Sequence, residues 1–134
     1  MKVLLERIDA LIEKDDLPWK RRGPTVTVEF VRNGRKQRVR ISRIGPMYRF
    51  QSVVVESDFV KRSTAHWNRL AYRAWRKNAL KEIITFAFDD EDRLIGLVEQ
   101  PAVTVDPEEI RLYIETVARE CDRFEYNLTG EDRE

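Results

Sequence analysis

The sequence predicts a single α+β domain over residues 1–134, an antiparallel sheet of about five strands with flanking helices in the order α-β-β-β-α-β-β-α. Three observations carry that prediction. Apolar residues recur at three- and four-residue spacing near both ends and in the middle of the chain. Between these segments lie runs in which apolar and polar residues alternate, the pattern of half-buried strands. The links between the runs are too short for parallel crossovers, so neighbouring strands pair antiparallel.

In "VLLERIDALIEKDDLPW", Leu4, Leu5, Ile8, Leu11 and Ile12 share one helical face. Pro18 disfavours helical geometry at Leu17, which predicts a helix end near Asp15 or Asp16. "KRRGP" reads as a basic connection. "TVTVEFVRNGRKQRVRIS" reads as a β-hairpin, because Asn33-Gly34 tolerates the positive φ angles of a two-residue type I′ turn. That turn would set Val28 opposite Val39, Val26 opposite Ile41, Glu29 opposite Arg38 and Thr27 opposite Arg40, with apolar pairs on one face. Gly45-Pro46 breaks the chain, and "MYRFQSVVVE" places Tyr48, Phe50, Ser52 and Val54 on one side of a third strand.

Ser63 or Thr64 is positioned to cap the helix "STAHWNRLAYRAWRKNALK". "EIITFAFD" and "RLIGLVEQ" form a second hairpin, with Ile84, Phe86 and Phe88 alternating along its first strand. Asp106-Pro107-Glu108-Glu109 then opens the last helix as N-cap, first helical residue and capping-box partner. Ile110, Ile114, Val117, Cys121, Phe124 and Leu128 form its stripe, and the tail from about residue 129 is expected to be flexible.

Composition narrows the class of function. The N-terminus carries Glu6, Arg7, Asp9, Glu13 and Lys14 and so lacks the uninterrupted apolar core of a signal peptide. The sequence contains no apolar run long enough to span a bilayer, and its one cysteine cannot form an internal disulfide. A soluble cytoplasmic protein is the expectation. The net charge of +1 conceals an asymmetry: residues 1–81 carry 20 Lys and Arg against 8 acids, and residues 82–134 carry 5 against 16. Either the fold interleaves the two halves, or a surface of one sign addresses a charged partner.

The arrangement downstream of the second long helix resembles that of the YbjN-like bacterial proteins and the type III secretion chaperones. The resemblance covers roughly residues 70–128. It rests on Asn78 at the helix end, a strand with Phe86 and Phe88, a tight turn, "RLIGLVEQ", a proline-bearing linker, "DPEE" and the pair Cys121-Asp122. The N-terminal part matches mainly in element order. The chain departs from the pattern at "DDED", which lacks the expected glycine, and in its Trp- and Arg-rich second helix. The resemblance implies a non-enzymatic, partner-binding domain, often dimeric, in a bacterial family associated with sensory transduction or stress-related regulation.

No enzyme assembles from these residue types. His66 is the only histidine, with no carboxylate three or four positions on, so neither a triad nor a histidine metal site can be built around it locally. Cys121 lies in the apolar stripe of an acidic helix, where a thiol behaves as a small buried hydrophobe. Asp89, Asp90, Glu91 and Asp92 lack the alternating ligands and central glycine of a calcium loop and read as solvated turn residues. Phosphate-cradling glycine motifs are absent, and no cofactor or metal is expected.

On a helical wheel, Trp67, Leu70, Ala71, Ala74, Trp75 and Asn78 gather on one stripe, predicted to pack against the sheet or against a second copy of the helix. Trp67, Leu70, Ala71, Ala74 and Trp75 are the candidate dimer interface. Arg69, Tyr72, Arg73 and Arg76 flank that stripe as a candidate surface for a protein partner. The alternative is nucleic-acid association through Arg38, Arg40, Arg69, Arg73 and Arg76, in which cations neutralise phosphates and Tyr72 stacks on bases.

Overall fold

The computed structural model describes residues 1–80 and 82–133, with the backbone alone for residues 131–133. Lys81 and Glu134, the latter ending the segment expected to be flexible, lie outside the described residues. The elements are α1 (Lys2–Asp15), β1 (Trp19–Arg22), β2 (Thr25–Glu29), β3 (Lys36–Ile44), β4 (Met47–Val55), the short α2 (Ser57–Val60), α3 (Thr64–Ala79), β5 (Thr85–Phe88), β6 (Leu94–Pro101) and α4 (Pro107–Arg133). The strands form one six-stranded antiparallel sheet in the order β1-β2-β3-β4-β6-β5. The class is the one predicted, with one strand more.

That extra strand is "WKRR", read from sequence as a connection. Trp19 is buried and Arg21 points to the same side, where its guanidinium donates to both carboxylate oxygens of Asp9 on α1 (2.6 and 2.7 Å). Gly23-Pro24 and Gly45-Pro46 close the β1–β2 and β3–β4 hairpins as two-residue turns. In both, glycine sits at φ +57 and proline follows, the sign pattern of a type II′ turn, whose twist suits the flanking strands.

The β2–β3 hairpin has the predicted faces but a different register. Val26 opposes Val39, Val28 opposes Gln37, Thr27 opposes Arg38, Thr25 opposes Arg40 and Glu29 opposes Lys36. The loop spans residues 31–34, not two residues: Phe30 N–H donates to Arg35 C=O (2.8 Å), Gly34 N–H to Phe30 C=O (2.7 Å), and Asn33 Oδ1 accepts from Arg35 N–H (2.9 Å). Gly34 alone has positive φ (+74), whereas a type I′ turn needs two such residues. A two-residue slip preserves the alternation, so Val26, Val28, Val39 and Ile41 remain in the core.

One face of the sheet carries that core, and α4 packs along it over β3, β4 and β6, with α1 alongside. All six predicted stripe residues of α4 are buried, and Asp106 caps the helix by accepting from Glu109 N–H (2.8 Å). Helix and sheet meet closely at Gly96, where an added Cβ would lie 2.4 Å from Cys121 Sγ. The charged halves of the chain meet in part: Arg35 pairs with Asp122, Arg49 with Glu99, Lys61 with Asp92 and Arg111 with Asp15.

Candidate partner-binding surfaces

Helix α3 begins as predicted, with Ser63 Oγ accepting from His66 N–H (3.0 Å). Its buried face is the predicted one only in part. His66, Leu70 and Ala74 are buried, whereas Trp67 is 41 % and Trp75 65 % exposed. The cause lies at the helix end. Asn78 Nδ2 donates to Phe86 C=O and Asn78 Oδ1 accepts from Phe86 N–H, both at 2.8 Å. This carboxamide takes the place of a neighbouring strand on the outer edge of β5. His66, Leu70, Ala74 and Asn78 form one row at four-residue spacing, so fixing Asn78 against β5 turns that row inward. The adjacent row, Trp67, Ala71 and Trp75, is left outside. The prediction that the tryptophans pack against the sheet or a second copy of the helix is therefore corrected for the sheet in part: Trp67 meets it only through a stack on Phe88 of β5 (ring centroids 5.3 Å apart), and Trp75 stacks on the exposed Tyr72 of its own helix (6.2 Å).

The arginines of α3 do not form one continuous face. Arg69 Nη2 donates to His66 Nδ1 (3.1 Å), Arg73 lies over the Phe124 ring of α4 (5.8 Å) and Arg76 over Tyr72 (5.9 Å). Tyr72 is 56 % exposed. Phe86, Phe88 and Phe124, which α3 touches, are on the α4 side of the sheet. Arg38 and Arg40 project from the opposite side. The five arginines of the nucleic-acid reading thus fall on two surfaces separated by the sheet.

Sequence reasoning did not anticipate a seam between β3 and β4. Their ladder runs from Ile44–Met47 to Arg40–Gln51 and stops. Beyond it, side chains replace backbone bonds: Gln37 Nε2 donates to Ser52 Oγ (2.7 Å) and Val53 C=O (2.9 Å), and Ser52 Oγ donates to Arg38 C=O (2.5 Å). A cleft of about 500 Å³ opens there, lined among others by Arg38, Arg40, Gln51, Glu56 and, from α4, Glu125. Burial and the neighbouring Asp122 push the Glu125 carboxyl above its ordinary range, against the pull of Arg35. A polar residue, Gln37, at a core-facing strand position was the available sequence signal.

The remaining candidates are structural. The Cys121 thiol is fully buried in the stripe, and that burial pushes it well above the ordinary thiol range, away from thiolate chemistry. His66 packs edge-on against Phe59 (4.7 Å). In the acidic turn, Asp89 Oδ1 accepts from Glu91 and Arg93 N–H while Oδ2 pairs with the Arg93 guanidinium, and Asp92 takes the positive-φ position (+60) where glycine was expected. Among the described residues no group of His, Cys, Asp or Glu could hold a metal ion, and no helix is long and apolar enough to cross a membrane.

No protein-family model matches the chain, and no curated protein matches it in sequence. Among solved structures it is similar to YbjN from E. coli (TM-score 0.63, 10 % identity, covering 96 % of this chain and 93 % of that one). It is also similar to the Yersinia pestis type III secretion chaperone SycH in complex with a stable fragment of YscM2 (0.55, 9 %, 89 % and 97 %). A chain of the ExsC–ExsE complex matches at 0.52 and 12 % identity, with 92 % of each chain covered. At these identities the likeness is one of fold: this is the YbjN and secretion-chaperone fold, as the residues from 70 to 128 implied.

Proposed function

We propose that this chain is a non-enzymatic, chaperone-like regulatory domain of the cytoplasm that forms a homodimer through α3 and holds a protein partner. One observation carries the reading: Trp67 and Trp75 lie exposed on either side of the half-buried Ala71, along a helix that is otherwise well anchored. A large-small-large row is self-complementary. A two-fold crossing at Ala71 lays Trp67 of one protomer against Trp75 of the other. Aromatic side chains bury roughly 150–250 Å² each, so the exposed parts of Trp67, Tyr72 and Trp75 amount to about 300 Å² per protomer. A standard interface takes about 800 Å² per partner, so the rings form its centre, with Arg69, Arg73 and Arg76 as the polar rim toward a protein partner.

The likeness to SycH, solved with a YscM2 fragment, and to a chain of the ExsC–ExsE complex supports protein binding. The sealed thiol and the lack of a metal cluster among the described residues support a binding role over catalysis. Light scattering tests the dimer. The wild type is expected as a dimer, and Trp75→Asp and Ala71→Glu as monomers with unchanged circular dichroism. A wild-type monomer at about 100 µM, well above a micromolar Kd, would refute the dimer.

A further inference from the structure

We infer that the open face of β1, β2 and β3 is a docking surface for an extended acidic segment of a protein partner. The inference rests on the protein-binding reading above, and supplies the partner's chemistry.

Five cations project from this face: Lys20 and Arg22 on β1, and Lys36, Arg38 and Arg40 on β3. All are exposed, and none makes an ion pair with a described residue. Glu29, at one corner opposite Lys36, is the only acid among the outward positions of these strands. Several arginines elsewhere are matched with acids, as in Arg21–Asp9, Arg35–Asp122, Arg49–Glu99 and Arg93–Asp89. This face therefore sets five exposed cations against a single acid.

Its geometry selects the ligand. The register places Arg22, Thr25 and Arg40 in one cross-strand row and Lys20, Thr27 and Arg38 in the next. Cations thus stand two strands apart, about 9.5 Å, with threonine hydroxyls between them. Along β3, Lys36, Arg38 and Arg40 recur every second residue, about 6.7 Å, which is also the side-chain repeat of any extended peptide. Carboxylates at alternate positions of a bound segment meet all three. The seam beside Arg38 and Arg40 adds the Gln51 amide, which lines its cleft. Single-stranded nucleic acid fits less well, because base stacking needs aromatic rings: β2 and β3 have none, and those of β1 and β4 (Trp19, Tyr48, Phe50) are buried on the other side.

Fluorescence anisotropy on the full chain tests the inference, using a labelled peptide of about eight alternating Glu and Ser residues, long enough to cover β3. Saturable, salt-sensitive binding is expected, with none for the matching Lys–Ser peptide. Arg38→Glu with Arg40→Glu should weaken binding by about tenfold or more, and the Arg38→Gln, Arg40→Gln pair by less. Trp75→Asp should still bind, so loss of the dimer and loss of the acidic site are read separately. Acidic-peptide binding unchanged by charge reversal, or oligo(dT) binding more tightly through the same arginines, would overturn the proposal.

Discussion

Replacing Gly96 with alanine tests how the helical layer seats on the sheet. The new methyl would lie 2.4 Å from Cys121 Sγ and 3.0 Å from both Ile84 Cδ1 and Phe86 Cε1. All three neighbours are buried, so none can swing into solvent. Overpacking of this kind costs about 1–3 kcal/mol, and a contact well inside the van der Waals limit with a helix on one side and a ring on the other belongs at the upper end. Gly96 does not have positive φ, so alanine recovers about 0.5–1 kcal/mol by restricting the unfolded chain. The net expectation is a loss of about 2 kcal/mol, or about 6–10 °C in Tm for a domain of this size. Cys121→Ala alone leaves a small void and costs about 1–2 kcal/mol. In the double variant one methyl occupies the space the sulfur vacates, so the two losses should fall short of adding by at least about 1 kcal/mol. Urea unfolding followed by tryptophan fluorescence measures all four corners of the cycle. Strict additivity, or a Gly96→Ala loss below about 0.5 kcal/mol, would show that the close approach is not a constraint.

Asn78→Ala leaves the outward N–H and C=O of Phe86 without their partners and should cost about 1–3 kcal/mol. It also exposes the β5 edge, so concentration-dependent light scattering should rise, and a variant as stable and monodisperse as the wild type would contradict the role of edge plug. For Asp89, burial works to raise the carboxyl, but the Arg93 N–H groups and that of Glu91 outweigh it and hold it below the ordinary range. A depressed carboxyl stabilises the fold fully above its unfolded pKa, so the advantage of the wild type over Asp89→Asn should be constant near neutrality. It should shrink as pH falls below about 4, and urea midpoints across that range that keep a constant gap would refute the assignment.

The elements that the sequence revealed are those where local chemistry and tertiary packing agree. The α4 stripe and its Asp106 cap needed only periodicity and capping, and both hold. The β2–β3 register was not legible, because a slip of two residues leaves every side chain on its face and Asn33-Gly34 suits the longer loop as well as the shorter. β1 was missed because four residues with three cations resemble a linker. The repeated Gly-Pro pair at 23–24 and 45–46 was the signal that both precede a returning strand. At α3 the composition marked the right helix, but its rotation depends on Asn78 reaching a strand edge, a contact that periodicity cannot report.

Arg35 and Asp122 are 87 positions apart, and the pairs Arg49–Glu99 and Arg111–Asp15 likewise join early residues to late ones. During synthesis, then, β1 to β4 emerge rich in cations before Glu99 and Asp122, the acids that pair Arg49 and Arg35, are made. The core they enclose stays uncovered until α4, which follows every strand in the chain, arrives. Once α4 and β6 are in place, Arg35 and Arg49 are withdrawn from other polyanions, whereas Lys20, Arg22, Lys36, Arg38 and Arg40 stay available to them.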